Sequence, residues 1–447
     1  MTWPVDADDL SGLLTGLVRE YGVPGAQLAV RWRSRTVTAE AGEETAGTGH
    51  PVARTSAFPV GSLTKPFTAT LVMLLAEDGD VELDQPVAKY LPQLGSATSG
   101  AGQVTPRQLL SHTGGLVANL GEQAPGTDRR RWLEGGPAPE LVHPPGTAFS
   151  YSNAGYLLAG CLVEAITGMS WAEAVESILL RPLGITPSSA LGAARPPVTG
   201  HVVRPGGRVL PVAEQTVTAL EEPVAALAAG AADLVAFAAA HLPTAAGPVD
   251  RRTAEAMRND QTAGLTAGPF GLADGWGLGW SLYRGTGARW FGHDGTGDGT
   301  WCHLRAEPDS GTVVALVTNA SNGVFLWDAL VERLRASGLA VGSCSMVAPA
   351  EPRDPVAGRA ECAGRYCNGD TTYTIEAENG RLFLTVDAEP ATELTCLADL
   401  RFTTVGPTPL LGRFGRDPET GAVDHVQITG RLARRAGTGH RRKDEEA

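Results

Sequence analysis

Ser62 and Lys65 stand three residues apart in the stretch FPVGSLTKPFTATLVMLLAEDG, residues 58–79. On a helix, residues i and i+3 share a face, so the amine falls within hydrogen-bond reach of the hydroxyl. A serine beside a neutral lysine is a nucleophile beside a base. From an ordinary value of about 10.4, neutrality near pH 7 takes a drop of roughly 3 units, or about 4 kcal/mol, which burial and nearby cations supply and a solvated site does not. The start of a helix also favours negative charge developing on the serine oxygen. Alternatively Lys65 stays charged and a second group takes the proton. Tyr151, in HPPGTAFSYSNAGYLLAG (143–160), is the candidate, and Asn153 offers a carboxamide to the lysine or to a substrate amide. A third stretch, WFGHDGTGDG (290–299), holds His293, Asp294, Gly295 and Thr296 at the end of a strand. Gly295 leaves room for a substrate backbone there, and the backbone N–H groups of Thr296 and Ser62 make a candidate oxyanion hole.

These residues need elements to hold them. The apolar residues Phe67, Leu71, Leu74 and Leu75 follow helical spacing behind Ser62, with Gly79 as a stop. A helix is expected from Asp9 to Tyr21, then two alternating strands, 26–33 and 36–43. Further helices are expected over 153–168 and, as one alanine-rich run, over 224–242. Strands are expected at 275–283, 289–295, 300–308 and 311–320, before a last helix at 324–336. Strands at both ends with helices between imply an α+β unit, one antiparallel sheet flanked by helices. This catalytic unit is read as 1–340. Residues 341–358, rich in Pro and Ala, read as a linker, and 359–436 as a small all-β barrel with strands near 371–378, 381–387, 392–398, 400–406 and 423–431. Residues 437–447 read as a disordered tail.

The chain has 447 residues and a formal net charge of −13, which disfavours nucleic acid and anionic membranes as general partners. No apolar run is long enough for a membrane span, and the first 25 residues lack the pattern of an export signal, so a cytoplasmic location is expected. The six cysteines are scattered and read as free thiols; neither they nor the nine histidines have metal-ligand spacing, so no metal and no cofactor is expected. His112 reads as structural. Of Trp276, Trp280, Trp290 and Trp301, most read as core and one or two as cleft-lining. Arg431, Arg434 and Arg435 read as a solvated face at the end of the barrel, with one of them able to reach the cleft mouth.

S-x-x-K, Y-x-N and H-x-G in this order resemble the serine β-lactamase and penicillin-binding-protein superfamily, closest to its class C-like branch. LLSHTGGL, RPLGI and GWGLGW resemble that branch's connecting segments. The resemblance implies a covalent acyl-enzyme on Ser62, with Lys65 and Tyr151 moving protons. Such enzymes often carry K-T-G where this chain has His293-Asp294-Gly295, so a penicillin or D-Ala-D-Ala carboxylate fits less well than an ester, thioester or capped acyl group. The C-terminal unit resembles the lipocalin-like domain of penicillin-binding-protein-type thioesterases, which release nonribosomal peptides as head-to-tail macrocycles. That implies a peptidyl thioester substrate, carried on a peptidyl carrier protein. The alternatives are a cytoplasmic esterase or D-amino-acid peptidase using water, and a non-catalytic peptide-binding sensor, against which the intact Ser62, Lys65, Tyr151 and Asn153 argue.

Overall fold

The computed structural model describes residues 6–437 apart from 96–98, 122–126, 193–194, 205, 215, 244–246, 345–354 and 406–408. Helix α1 (Ala7–Tyr21) starts on the Asp6 carboxylate, which accepts the Asp9 N–H, and ends at Gly22, whose φ of 62° lets the chain turn back. Strands β1 (Gly25–Trp32) and β2 (Arg35–Gly42) form the expected hairpin. A 3₁₀ turn, Gly61–Leu63, runs directly into α2 (Thr64–Glu77), which is buried along nearly its whole length. Helix α3 (Asn153–Thr167) is capped by the Ser152 hydroxyl on the Gly155 N–H.

The alanine-rich run is not one helix. It makes a short helix, Glu222–Ala225, then a two-residue strand, Ala228–Ala229, and then α4 (Ala231–Ala239). Tertiary partners break it: Ala228 and Ala229 pair with Pro59 and Phe58, and the Leu227 carbonyl accepts the Val60 N–H. Helix propensity loses here to backbone pairing with the segment that carries Ser62.

The segment 275–283 likewise splits into β3 (Gly275–Trp276) and β4 (Ser281–Tyr283) around a tight turn. Strands β5 (Trp290–Gly297), β6 (Thr300–Glu307) and β7 (Thr312–Thr318) follow, then α5 (Gly323–Ala336). The seven strands lie in the order β2-β1-β7-β6-β5-β4-β3, every pair antiparallel. Both faces are covered. Leu28, Val30, Val314 and Leu316 pack under α1 and α5, while Ala29, Val313, Ala315 and Val317 face the layer of α2, α3 and α4.

Eight antiparallel strands between Gly364 and Arg435 close a barrel. Two of them, Gly364–Asn368 and Leu411–Arg416, stand outside the five stretches expected from sequence, because their glycine, cysteine, asparagine and arginine content hides the alternation. The stretch 423–431 is a hairpin rather than one strand, turning at Thr429 and Gly430, both with positive φ. Tyr366, Phe402 and Phe414 are buried among aliphatic side chains inside the barrel. Most of the expected linker and all but Gly437 of the expected tail lie outside the described residues. Cys161, Cys302, Cys362, Cys367 and Cys396 are free thiols. Among the described residues no single helix is long and apolar enough to cross a membrane, and no cluster of three or more His, Cys, Asp or Glu side chains could hold a metal ion.

Candidate active site

Lys65 Nζ lies 2.9 Å from Ser62 Oγ and donates to the Val224 carbonyl at 3.2 Å. The lysine is fully buried. Desolvation, helped by the positive charge of Arg431, holds its pKa well below the ordinary lysine value. The break in the alanine-rich run delivers the Val224 carbonyl, and no residue-type pattern announces a backbone oxygen.

The Tyr151 ring centroid is 5.0 Å from Lys65 Nζ. Burial pushes its phenol well above the ordinary value, against a hydrogen bond to Ser62 and the charge of Arg431 that pull it down. His112 stacks on Tyr151 with centroids 4.2 Å apart, and its Nδ1 accepts the Ser152 N–H at 3.0 Å. It supports the tyrosine ring, while its buried Nε2 has no protein partner.

Asn153 does not hold the lysine. Its Nδ2 donates to Asn119 Oδ1 at 2.7 Å, while its buried Oδ1 has no protein partner.

The third motif lies on β5, against the Ser62 turn. Gly61 (φ 51°) and Gly295 interlock there: a Cβ on Gly61 would collide with the Thr296 carbonyl, and one on Gly295 with the Val60 carbonyl. Gly295 therefore makes room for the nucleophile's own turn rather than for a substrate backbone. His293 is buried, with Nδ1 donating to the Asp294 carbonyl at 2.5 Å, which leaves Nε2 as an acceptor with no protein partner. Burial, then the nearby Lys65, pushes its pKa down to about 3, so the imidazole is neutral.

Asp294 turns out to be neutralised from below. Its carboxylate takes a two-pronged pair from Arg305 at 2.8 and 2.9 Å and a contact from His303 Nδ1 at 2.7 Å. These charges hold its pKa well under the usual carboxylate range in spite of burial. Arg305 and His303 both come from β6, and the antiparallel register that sets Asp294 opposite His303 could have flagged the second of them.

The geometry thus assembles Ser62, Lys65 and Tyr151 around one cleft, with β5 as its edge. The beta-lactamase family model matches residues 10–336. The chain belongs to the β-lactamase family. Penicillin-binding protein 4 of Amycolatopsis lactamdurans is 34% identical over 361 residues, spanning 77% of this chain and 95% of that protein. The crystal structure of SurE is 38% identical with a TM-score of 0.83, over 96% of this chain and 98% of that one, and SurE has also been solved with D-Leu. A D-stereospecific amidohydrolase from Streptomyces sp. is 25% identical, TM-score 0.59, over 73% of this chain and 98% of that chain.

In this β-lactamase-family site the cavity holds about 260 Å³. The catalytic unit lines it with Ser62, Tyr151 and β5, and with Leu272, Trp276 and Trp301 as apolar wall. The barrel lines it too, through Leu410, Thr429 and Arg431. The Arg431 guanidinium sits 5.6 Å from the Tyr151 ring centroid, and the Gly430 carbonyl accepts the Tyr151 N–H at 2.9 Å. Of the three barrel arginines, this is the one at the cleft; Arg434 instead pairs with Asp424 at 3.2 Å. Trp280 and Trp290 are core.

Proposed function

We propose that the protein is a serine acyl-transfer enzyme that takes a peptidyl thioester onto Ser62 and releases the peptide as a head-to-tail macrocycle. Neutral Lys65 accepts the Ser62 proton as Oγ bonds to the acyl carbon, and the N–H groups of Ser62 and Thr296 hold the oxyanion. The proton passes by way of Tyr151 to the departing thiolate as the C–S bond breaks. The peptide's own amino group then attacks the Ser62 ester. It loses one proton to Lys65 and Tyr151, and Ser62 regains one as its C–O bond breaks. The macrocycle is lighter than the substrate by one thiol.

The observation that carries this reading is the cleft wall built by the barrel. Water is always present, whereas a flexible peptide's own amine has an effective concentration on the order of millimolar. Cyclisation wins only where the site folds the peptide and keeps water out, and the Thr429–Arg431 turn over Tyr151 supplies such a wall. The likeness to SurE, which includes the barrel, supports the same reading, and SurE's structure with D-Leu supports a D-configured residue at the acyl position. Neutral His293 and the paired Asp294 leave β5 itself without a free cation for a substrate carboxylate, so the cation that lines the cleft is Arg431 of the barrel. The reading sets the enzyme in the cytoplasm, with a peptidyl carrier protein as donor.

A peptidyl thioester with a free amino terminus and a D-configured C-terminal residue tests it. The expected main product by mass spectrometry is the macrocycle, and a covalent adduct on Ser62 disappears in Ser62→Ala. Linear acid alone across several sequences sinks the cyclase reading. The second reading, a hydrolase of D-configured amides or esters, then takes its place, favoured by the likeness to the D-stereospecific amidohydrolase.

A further inference from the structure

Arg129 stands at the start of a short helix, Arg129–Gly135, and is buried. Its guanidinium is fully engaged. Nε and one terminal nitrogen donate to Glu164 Oε1 at 2.9 and 2.6 Å, and that terminal nitrogen also donates to Glu222 Oε2 at 2.8 Å. The other terminal nitrogen donates to the Ala219 carbonyl, with the Leu220 carbonyl at 3.4 Å. One side chain therefore ties the end of α3 to residues 219–222.

The next two residues reach the active site. The Pro223 carbonyl accepts the Thr68 hydroxyl at 2.6 Å, and the Val224 carbonyl accepts Lys65 Nζ at 3.2 Å. Gly160 of α3 lies directly under the Pro223 ring, where any Cβ would collide with it. The segment thus rests on α3 at two points, a glycine contact and an arginine clamp.

We propose that Arg129 is a positioning residue for Lys65: by pinning residues 219–222 to α3 it keeps the Val224 carbonyl on Nζ and keeps water off the amine. The proposal rests on the reading of Lys65 as the base for Ser62. With one N–H taken by the carbonyl, the neutral amine keeps its lone pair for the Ser62 hydroxyl. If the clamp loosens, the segment lifts, water reaches Nζ, and the charged amine is restored.

The titratable and charged groups around Nζ are Tyr151, Tyr156, His112, His293, Glu221 and Arg431. Arg129 acts on none of these side chains directly; its contacts are Glu164, Glu222 and the two carbonyls. Burial is also the largest cause of the lysine's depressed pKa, so its relief outweighs the loss of a single carbonyl acceptor.

The test uses the full chain and the pH dependence of kcat/KM on a peptidyl thioester, with a melting curve for each variant. In Arg129→Gln the acidic limb should move up by about one pH unit, an about tenfold loss at a pH below the limb, with the plateau at high pH largely kept. Arg129→Lys should fall between, because an ammonium cannot bridge two carboxylates and two carbonyls at once. Arg129 also lines a cavity of about 560 Å³, with Tyr90, Leu133, Glu164 and Ser170. Guanidinium at non-denaturing, millimolar concentration should therefore enter Arg129→Ala and move the limb back. Lower melting temperature with an unmoved limb would overturn the proposal, since that is what a merely structural arginine gives. If the Arg129 variants do not fold, Glu222→Gln keeps the Arg129–Glu164 pair and decides by the same limb. Full activity in Lys65→Ala would instead defeat the base assignment, and the proposal with it.

Discussion

Lys65 and Tyr151 are shifted in opposite directions by one cause. Removal from water disfavours charge, so the amine's pKa falls and the phenol's rises, and the resting pair is uncharged. The rate should therefore rise with pH through an acidic limb that belongs to Lys65 and lies well below the ordinary lysine range. Arg431→Met removes a positive charge that holds the lysine's pKa down, so that limb should move to higher pH. On the proposed mechanism Lys65 and Tyr151 act as one proton-transfer unit, so Lys65→Ala and Tyr151→Phe should each cost orders of magnitude in rate, and the double variant little more. The same burial has a stability signature. Lys65's folded pKa lies below its unfolded one, so its cost to stability is full below the folded value and vanishes as pH rises past about 10.4. Denaturation of Lys65→Met across pH should lack that alkaline gain. The Ser62–Lys65 pair was legible in the sequence because i and i+3 is a local relation. The Val224 carbonyl was not, since a backbone oxygen leaves no mark on residue type.

At the scale of elements, the cleft depends on how closely β5 lies against the Ser62 turn. Gly295→Ala would drive a methyl group into the Val60 carbonyl and push the Thr296 N–H away from Ser62. On the proposed mechanism that N–H is an oxyanion donor, whose loss costs roughly 10²–10³ in kcat, so stopped-flow acylation should show a drop of that size with the fold retained. Beneath the strand, Arg305→Met would strip the buried Asp294 carboxylate of its two-pronged cation and leave it only His303 Nδ1 and the Tyr283 hydroxyl. That should cost about 3–5 kcal/mol in denaturant unfolding, and Asp294→Leu on the same background should restore much of it. Alternation over eight residues made β1, β2 and β6 readable, and a continuous apolar run bounded by threonines made β7 so. The alanine-rich run misled for the opposite reason. Its alanines favour helix throughout, and the break falls where Ala228 and Ala229 pair with Phe58 and Pro59, some 170 residues earlier, just before Gly230 caps α4. The same holds for Arg305, whose pairing with Asp294 exists only once β5 and β6 are in register.

At the scale of the molecule, backbone and amide contacts join the barrel to the catalytic unit. Asn368 Oδ1 accepts the Ala118 N–H at 2.7 Å, and Gln427 Nε2 donates to the Phe149 and Gly268 carbonyls at 3.2 and 3.0 Å. The barrel's interior is filled by its own side chains, so its contribution to the cleft is the hairpin turn together with Leu410. Gln427→Ala should loosen that turn and shift products several-fold from macrocycle toward linear acid, with thioester consumption nearly unchanged. Gly430→Val, which forces a branched side chain onto a positive φ and against Leu272, should shift them further. Chromatography of the products from one substrate reads both. The turn's place in the chain has one more consequence. Domains fold as they emerge from the ribosome, amino end first, at about 5–20 residues per second. The nucleophile at position 62 is made roughly 20–70 s before the arginine at position 431. On the proposed reading, a half-made chain owns its attacking hydroxyl but lacks one wall of the cleft, and shelter of an acyl group from water waits for residue 431.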